Sequence, residues 1–146
     1  MSDYVGVYLH AVAPSRDCSS ELKATQPEPG DGVTPLAIAE ELRARPGLLV
    51  TAPRNVTVGG LPGVVIDIRM DEAWTGTCFY SKGAPVVPLI KGMPPSSFDH
   101  SMIEGIETRL YLLAHDGGTL AIEVQLVNPT WLDEYAAVAE SFSFGD

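Results

Sequence analysis

The stretch Leu48 to Asp71, LLVTAPRNVTVGGLPGVVIDIRMD, decides the fold. From Val64 onward its residues alternate. Val64, Ile66, Ile68 and Met70 fall on one side, and Val65, Asp67, Arg69 and Asp71 on the other. Strand side chains point to opposite faces in turn, so this is a strand with one face on a core and one on water. Gly59-Gly60-Leu61-Pro62-Gly63 stands just before it. Pro62 presets φ for the second position of a type II turn, and Gly63 can take the positive φ required next. Asn55 to Val58 is then the preceding strand, and the whole reads as a hairpin turning at Pro62-Gly63.

Working outward toward the N-terminus, Thr34-Pro35 opens a helix. Thr is a good N-cap, and Pro loses nothing at the first helical position. Leu36, Ile38, Ala39 and Leu42 form its apolar stripe, Glu41 and Arg45 make an i,i+4 pair, and Pro46-Gly47 ends it. Ser15 to Gly32 reads as a polar loop, and Tyr4 to Val12 as a first strand. On the other side, Glu72 to Thr108 is irregular. Cys78-Phe79-Tyr80 and Val86 to Ile90 are candidate short strands, and Gly92 to Ser101 is a loop. Arg109 to Val127 is a second hairpin. A three-residue loop, Asp116-Gly117-Gly118, sets Leu112 opposite Ile122 and places Gly118 at positive φ. A last helix begins near Thr130, with Trp131, Tyr135, Val138 and Phe142 as its buried stripe, and Ser141 to Phe144 trails off extended. The order implies an α+β fold, a mostly antiparallel sheet with N- and C-terminal helices packed on it, over a single globular domain 1–146.

Composition narrows the function classes. With 9 basic and 19 acidic residues the net charge is -10, so nucleic acid and anionic membrane surfaces are poor partners. No apolar run approaches the ~20 residues of a membrane span, and the N-terminus lacks the marks of a signal peptide. Either the protein is cytoplasmic or a targeting segment lies outside this chain. Cys18 and Cys78 are thiols in the first case and a pair in the second.

PRNVTVGGLPGVVIDIRMDEAWTGTC resembles a domain of exported actinobacterial proteins of unassigned function, in which a P-x-x-V-T-V-x-G-x-x-G hairpin leads to a strand and then a Cys. LAIAEELRARPGL, LLAHDGGTLAIEV and AAVAESFSF extend the resemblance over about Val33 to Phe144. More remotely, the layout is similar to the PsbP/Mog1-type α/β/α sandwich. The resemblance implies an extracytoplasmic or membrane-tethered domain, a Cys18–Cys78 disulfide, and no catalytic residues to carry over.

Motifs for chemistry are sparse. His10, His100 and His115 form no H-x-x-H or H-x₃-H pair, so no metal site is expected. No G-x-S-x-G elbow occurs, and GGLPG has neither the spacing nor the following helix of a phosphate loop. No cofactor is implied. Asp67, Asp71 and Glu72 do not follow the EF-hand spacing and read as a solvated strand end. The outward face of the central strands carries Asp67, Arg69, Arg109, Tyr111, Glu123 and Gln125. If a helix covers that face these groups must pair or line a groove, because uncompensated buried charge is costly. The expected site is a polar groove of Asp67, Arg69, Arg109, Tyr111 and Glu123 with Trp74 at its edge, and the alternative is an open, solvated sheet face. Trp74, Phe79 and Tyr80 flank a Gly-Thr-Cys loop, where they read first as a plug at the open end of the sandwich and otherwise as lining of a ligand site. The functional expectation is a non-catalytic extracytoplasmic domain binding a small molecule or protein partner. The alternative is a hydrolase with a loop-built site.

Overall fold

The computed structural model describes residues 3–28, 33–93 and 99–144. At its centre lies a six-stranded antiparallel sheet ordered β1-β8-β7-β4-β2, with β3 also on β4. These strands are β1 (Tyr4–Tyr8), β2 (Leu48–Val50), β3 (Arg54–Val58), β4 (Leu61–Met70), β7 (Glu107–His115) and β8 (Gly118–Leu126). A separate hairpin joins β5 (Val86–Lys91) to β6 (Asp99–Ile103). The helices are α1 (Glu21–Ala24), α2 (Pro35–Ala44) and α3 (Leu132–Glu140). The α+β class and the mostly antiparallel sheet therefore stand as read from the sequence.

The alternation in β4 holds, and its consequence is larger than a single core. Val64, Ile66, Ile68 and Met70 pack with Ile38, Ala39 and Leu42 of α2 and with Val87, Leu89, Ile90 and Met102 of the β5–β6 hairpin. Val65, on the other face, is also buried, with Tyr111, Leu113, Ile122 and Val124 beneath α3. The sheet thus has apolar clusters on both sides. On the first face α2 and the β5–β6 hairpin share the cover. On the second face α3 lies over β8 and β1.

Both hairpin turns differ from the sequence reading. The first turns at Gly59-Gly60, with φ of 57° and 83°, and Val58 faces Leu61. Two consecutive positive φ values match strand twist in a two-residue loop, and consecutive glycines accept them cheaply. Pro62 and Gly63 lie inside β4 instead. Gly63 answers to a close approach: a Cβ there would stand 1.9 Å from the Leu112 carbonyl oxygen on β7. The second hairpin turns at Asp116-Gly117, with φ of 51° and 76°, so His115 faces Gly118. Gly118 is not at positive φ, and Leu112 faces Ala121 while Tyr111 faces Ile122. The expected register matched apolar to apolar on one core face. Because both faces are buried here, that criterion does not select a register, and the two-residue turn does.

Other elements shift for local reasons. β1 ends at Tyr8 because His10 adopts a left-handed φ of 49°. Val12, placed in that strand by sequence, makes an isolated bridge to Lys91. The polar N-terminal loop contains α1, capped by the Ser20 side chain accepting from the Lys23 amide. Cys78 to Tyr80 is turn, not strand. β6 takes Asp99 to Ser101 out of the expected loop, and residues 94–98 of that loop lie outside the described residues. β5 does form, with an irregular register after Pro88, which has no N–H for the ladder. α2 begins as expected, with Thr34 accepting from the Ala37 amide. Leu36 is exposed, and Arg45 is only 3% exposed, its guanidinium 3.6 Å from Glu41 and donating to the Pro88 carbonyl oxygen at 3.1 Å. At the last helix Asn128, not Thr130, caps: its side chain accepts from the Thr130 amide and opens a short 3₁₀ turn before α3. Ala136 and Ala139 are the buried positions of α3, while Trp131 and Val138 of the expected stripe are exposed. Phe142 and Phe144 follow it, packing at the Gly59 turn.

Candidate functional site

The cover of the second face is incomplete, and that creates the site. α3 shields β8 and β1 but leaves the end of β4 and β7 near Asp67 open. The resulting cleft has a volume of about 350 Å³. Register dictates its floor. Leu49, Arg69, Glu107 and Leu126 lie in one cross-strand row over β2, β4, β7 and β8. The next row brings Asp67 opposite Arg109. Leu132, the first residue of α3, adds an apolar wall.

β2 and β3 act as one strand broken at Thr51 to Pro53. Val50 pairs with Ile68 and Arg54 with Val65, so the β2–β3 side carries one residue more than β4. This is the count of a bulge, which re-aims side chains at a sheet edge. Thr51 adapts by using both its backbone and side chain. Its amide donates to the Asp67 carbonyl oxygen at 3.0 Å, and its Oγ1 accepts from the Asp67 amide at 2.9 Å. Asp67 is therefore fixed at the cleft by the broken edge.

Asp67 and Arg109 form a two-point ion pair. Arg109 Nε donates to Oδ1 at 2.7 Å and a terminal nitrogen donates to Oδ2 at 3.0 Å. Those hydrogen bonds outweigh the desolvation of Arg109 and raise its pKa, so it stays charged. Arg109 also borders a second, shallower groove along α3 with Asp133 and Glu140. Arg69 and Glu107 are exposed and face each other across the strands, and neither enters an ion pair among the described residues.

Of the residues named from sequence, Asp67, Arg69 and Arg109 come together in this cleft. Tyr111 does not. It is 1% exposed beneath α3, and its hydroxyl donates to Glu140 at 2.9 Å. Burial first, then that carboxylate, pushes its pKa up to about 12. Trp74 lies on the other side of the sheet, against the first cluster, with its indole N–H on the Val86 carbonyl oxygen at 2.9 Å. It is half-buried there, whereas Phe79 and Tyr80 are exposed. Glu123 also points to the first face, because it pairs with Leu110 and Gly6 and not with Tyr111.

There Glu123 forms a second polar centre. It is 0% exposed and accepts from the Tyr4 hydroxyl at 2.8 Å and the Tyr8 hydroxyl at 2.7 Å, while His100 Nδ1 lies 2.7 Å from its other oxygen. Tyr4 also meets the His100 ring edge-on. Burial, then the Glu123 charge, raises both tyrosine pKa values. The cluster spans β1, β8 and β6, and so binds an edge strand and the covering hairpin to the sheet. Sequence reasoning missed it and missed Glu107. The spacing of Tyr4 and Tyr8, which puts both on one strand face, was the available signal; Glu107 has none until the register is known.

Among the described residues no group of His, Cys, Asp and Glu is arranged to hold a metal ion. Cys18 and Cys78 form a disulfide, as the resemblance implied, and it draws the α1 loop to the loop before β5. No described helix is long and apolar enough to cross a membrane. Comparison of the chain with protein-family models, curated proteins and solved structures finds no match.

Proposed function

We propose that this chain is a non-catalytic, extracytoplasmic ligand-binding domain whose site is the cleft between α3 and the open end of β4 and β7. The observation that carries the reading is the cleft itself: about 350 Å³, with Leu49 and Leu132 as apolar surface over buried Leu126, and Asp67, Arg69, Glu107 and Arg109 converging on it. A concave, partly apolar site with a few placed polar groups is the usual form of a small-molecule site. A small ligand is favoured over a protein partner because the polar groups converge on a concavity. The hydrolase alternative has less support: both cysteines are in the disulfide, and the hydrogen bond of His100 is to buried Glu123.

Two features support the compartment. The disulfide is a bond that persists in oxidising environments. The PRNVTVGGLPG hairpin resembles that of exported actinobacterial domains, and one helix on each face of an antiparallel sheet is the layering of the PsbP/Mog1-type sandwich.

An NMR fragment screen of the ¹⁵N-labelled chain tests the site. Hits are expected to move the amides of Leu49, Thr51, Arg69 and Glu107 together. Hits that cluster elsewhere, or none at the cleft, would refute the assignment. Alkylation of thiols in intact cells of the native host tests the compartment, and modification of Cys18 and Cys78 would exclude an oxidising one.

A further inference from the structure

We infer that the cleft takes a zwitterion of the α-amino-acid class with an apolar side chain. This rests on the ligand-binding reading and deepens it. Four charged side chains line the cleft. Asp67 and Arg109 satisfy each other at 2.7 and 3.0 Å, so that pair is already committed. What remains is one cation and one anion, Arg69 and Glu107, set directly opposite each other in the β4–β7 register. Both are exposed and neither is in an ion pair among the described residues. A ligand with a single charge would match one and be repelled by the other. A ligand carrying a carboxylate and an ammonium a few ångströms apart matches both.

The same row supplies the rest of the selectivity. Leu49 and Leu126 flank the charged couple at either end, and Leu132 stands above it. An aliphatic side chain extending from the zwitterionic end meets exposed Leu49 and half-buried Leu132, while Leu126 lies buried beneath as part of the core. The volume, about 350 Å³, holds one amino acid with room to spare. The protein's net charge of -10 disfavours simple anions at long range, which leaves the local couple to set the preference.

The test is a two-by-two set of probes followed by chemical shift at the cleft: L-leucine, N-acetyl-L-leucine, L-leucine amide and N-acetyl-L-leucine amide. Leucine is expected to bind with a Kd of about 1 mM, in keeping with its few heavy atoms. Removing either charge weakens binding roughly fivefold, the scale of an exposed ion pair. In the R69Q variant leucine and leucine amide become equal, and in E107Q leucine and N-acetyl-leucine become equal. Both positions are exposed, so an unchanged melting temperature verifies that the variants fold. If all four probes bind alike, the cleft is an apolar site and the zwitterion is wrong while ligand binding stands. If leucine moves no cleft amide at 20-fold the expected Kd, roughly 20 mM, the zwitterion is overturned, and the fragment screen decides separately whether the cleft binds anything.

Discussion

Single side chains here carry more than their local geometry suggests, and Glu123 is the clearest case. A carboxylate without exposure is tolerated because Tyr4, Tyr8 and His100 all reach it within 2.8 Å. Hydrogen bonds to a charged group are worth about 1.5–3 kcal/mol each, so Tyr8→Phe should lower unfolding free energy by that amount in urea at pH 7. The tyrosines also set an alkaline limit. Burial and Glu123 hold the folded pKa values of Tyr4 and Tyr8 above those of an unfolded chain. An acid whose folded pKa is raised contributes stability that is complete below its unfolded pKa, about 10, and is lost as pH rises toward the folded value. Stability should therefore fall above pH 10, and less steeply in Tyr8→Phe. A wild-type slope equal to that of the variant would show that Tyr8 does not contribute. Neither Glu123 nor His100 announced this role in sequence. A three-residue turn would set Glu123 on the outward face, because a one-residue difference in register moves every side chain to the opposite face.

At the scale of elements, glycine does two different jobs in neighbouring hairpins. Gly117 has φ of +76° with open space around it. Gly117→Val should cost about 1–2 kcal/mol through left-handed strain alone. Gly63 has ordinary φ but lies against β7, where even an alanine Cβ would meet the Leu112 carbonyl oxygen at 1.9 Å. Gly63→Ala should be the worse change, roughly 3 kcal/mol or more, because the neighbour is backbone and the β4–β7 ladder must part. Denaturant titration of both variants checks the order, and a milder Gly63→Ala would contradict the close approach. Gly118→Ala should be nearly neutral, since its nearest new contact is at 4.0 Å. The start of α2 is more legible than the turns. Thr34-Pro35 is a local capping signal that functions as written, whereas the choice between two and three loop residues depends on strands that are far apart in sequence.

For the whole molecule, the decisive feature is unequal cover. The first face has α2 and the β5–β6 hairpin, and the second has α3 and the Phe142–Phe144 tail, which leave the cleft. The disulfide secures the periphery of this arrangement, closing a separation of 60 residues. Replacing both cysteines by serine should remove roughly 4 kcal/mol in the chain-entropy account, read as a lowered urea midpoint. Because the bond lies away from the cleft, leucine binding should survive in the fraction that stays folded. By itself, the sequence determined the α+β class, the apolar face of Val64, Ile66, Ile68 and Met70, and the N-terminal boundary of α2. Each of these follows from spacing within one segment, where side-chain direction and capping are local. Only the tertiary structure decided that Val65 and Tyr111 are core, that Trp74 packs on the first face, and that Glu107 joins Asp67, Arg69 and Arg109 at one cleft. Those outcomes depend on which strands pair, in what register, and which face a distant helix covers, and they are fixed by packing between segments.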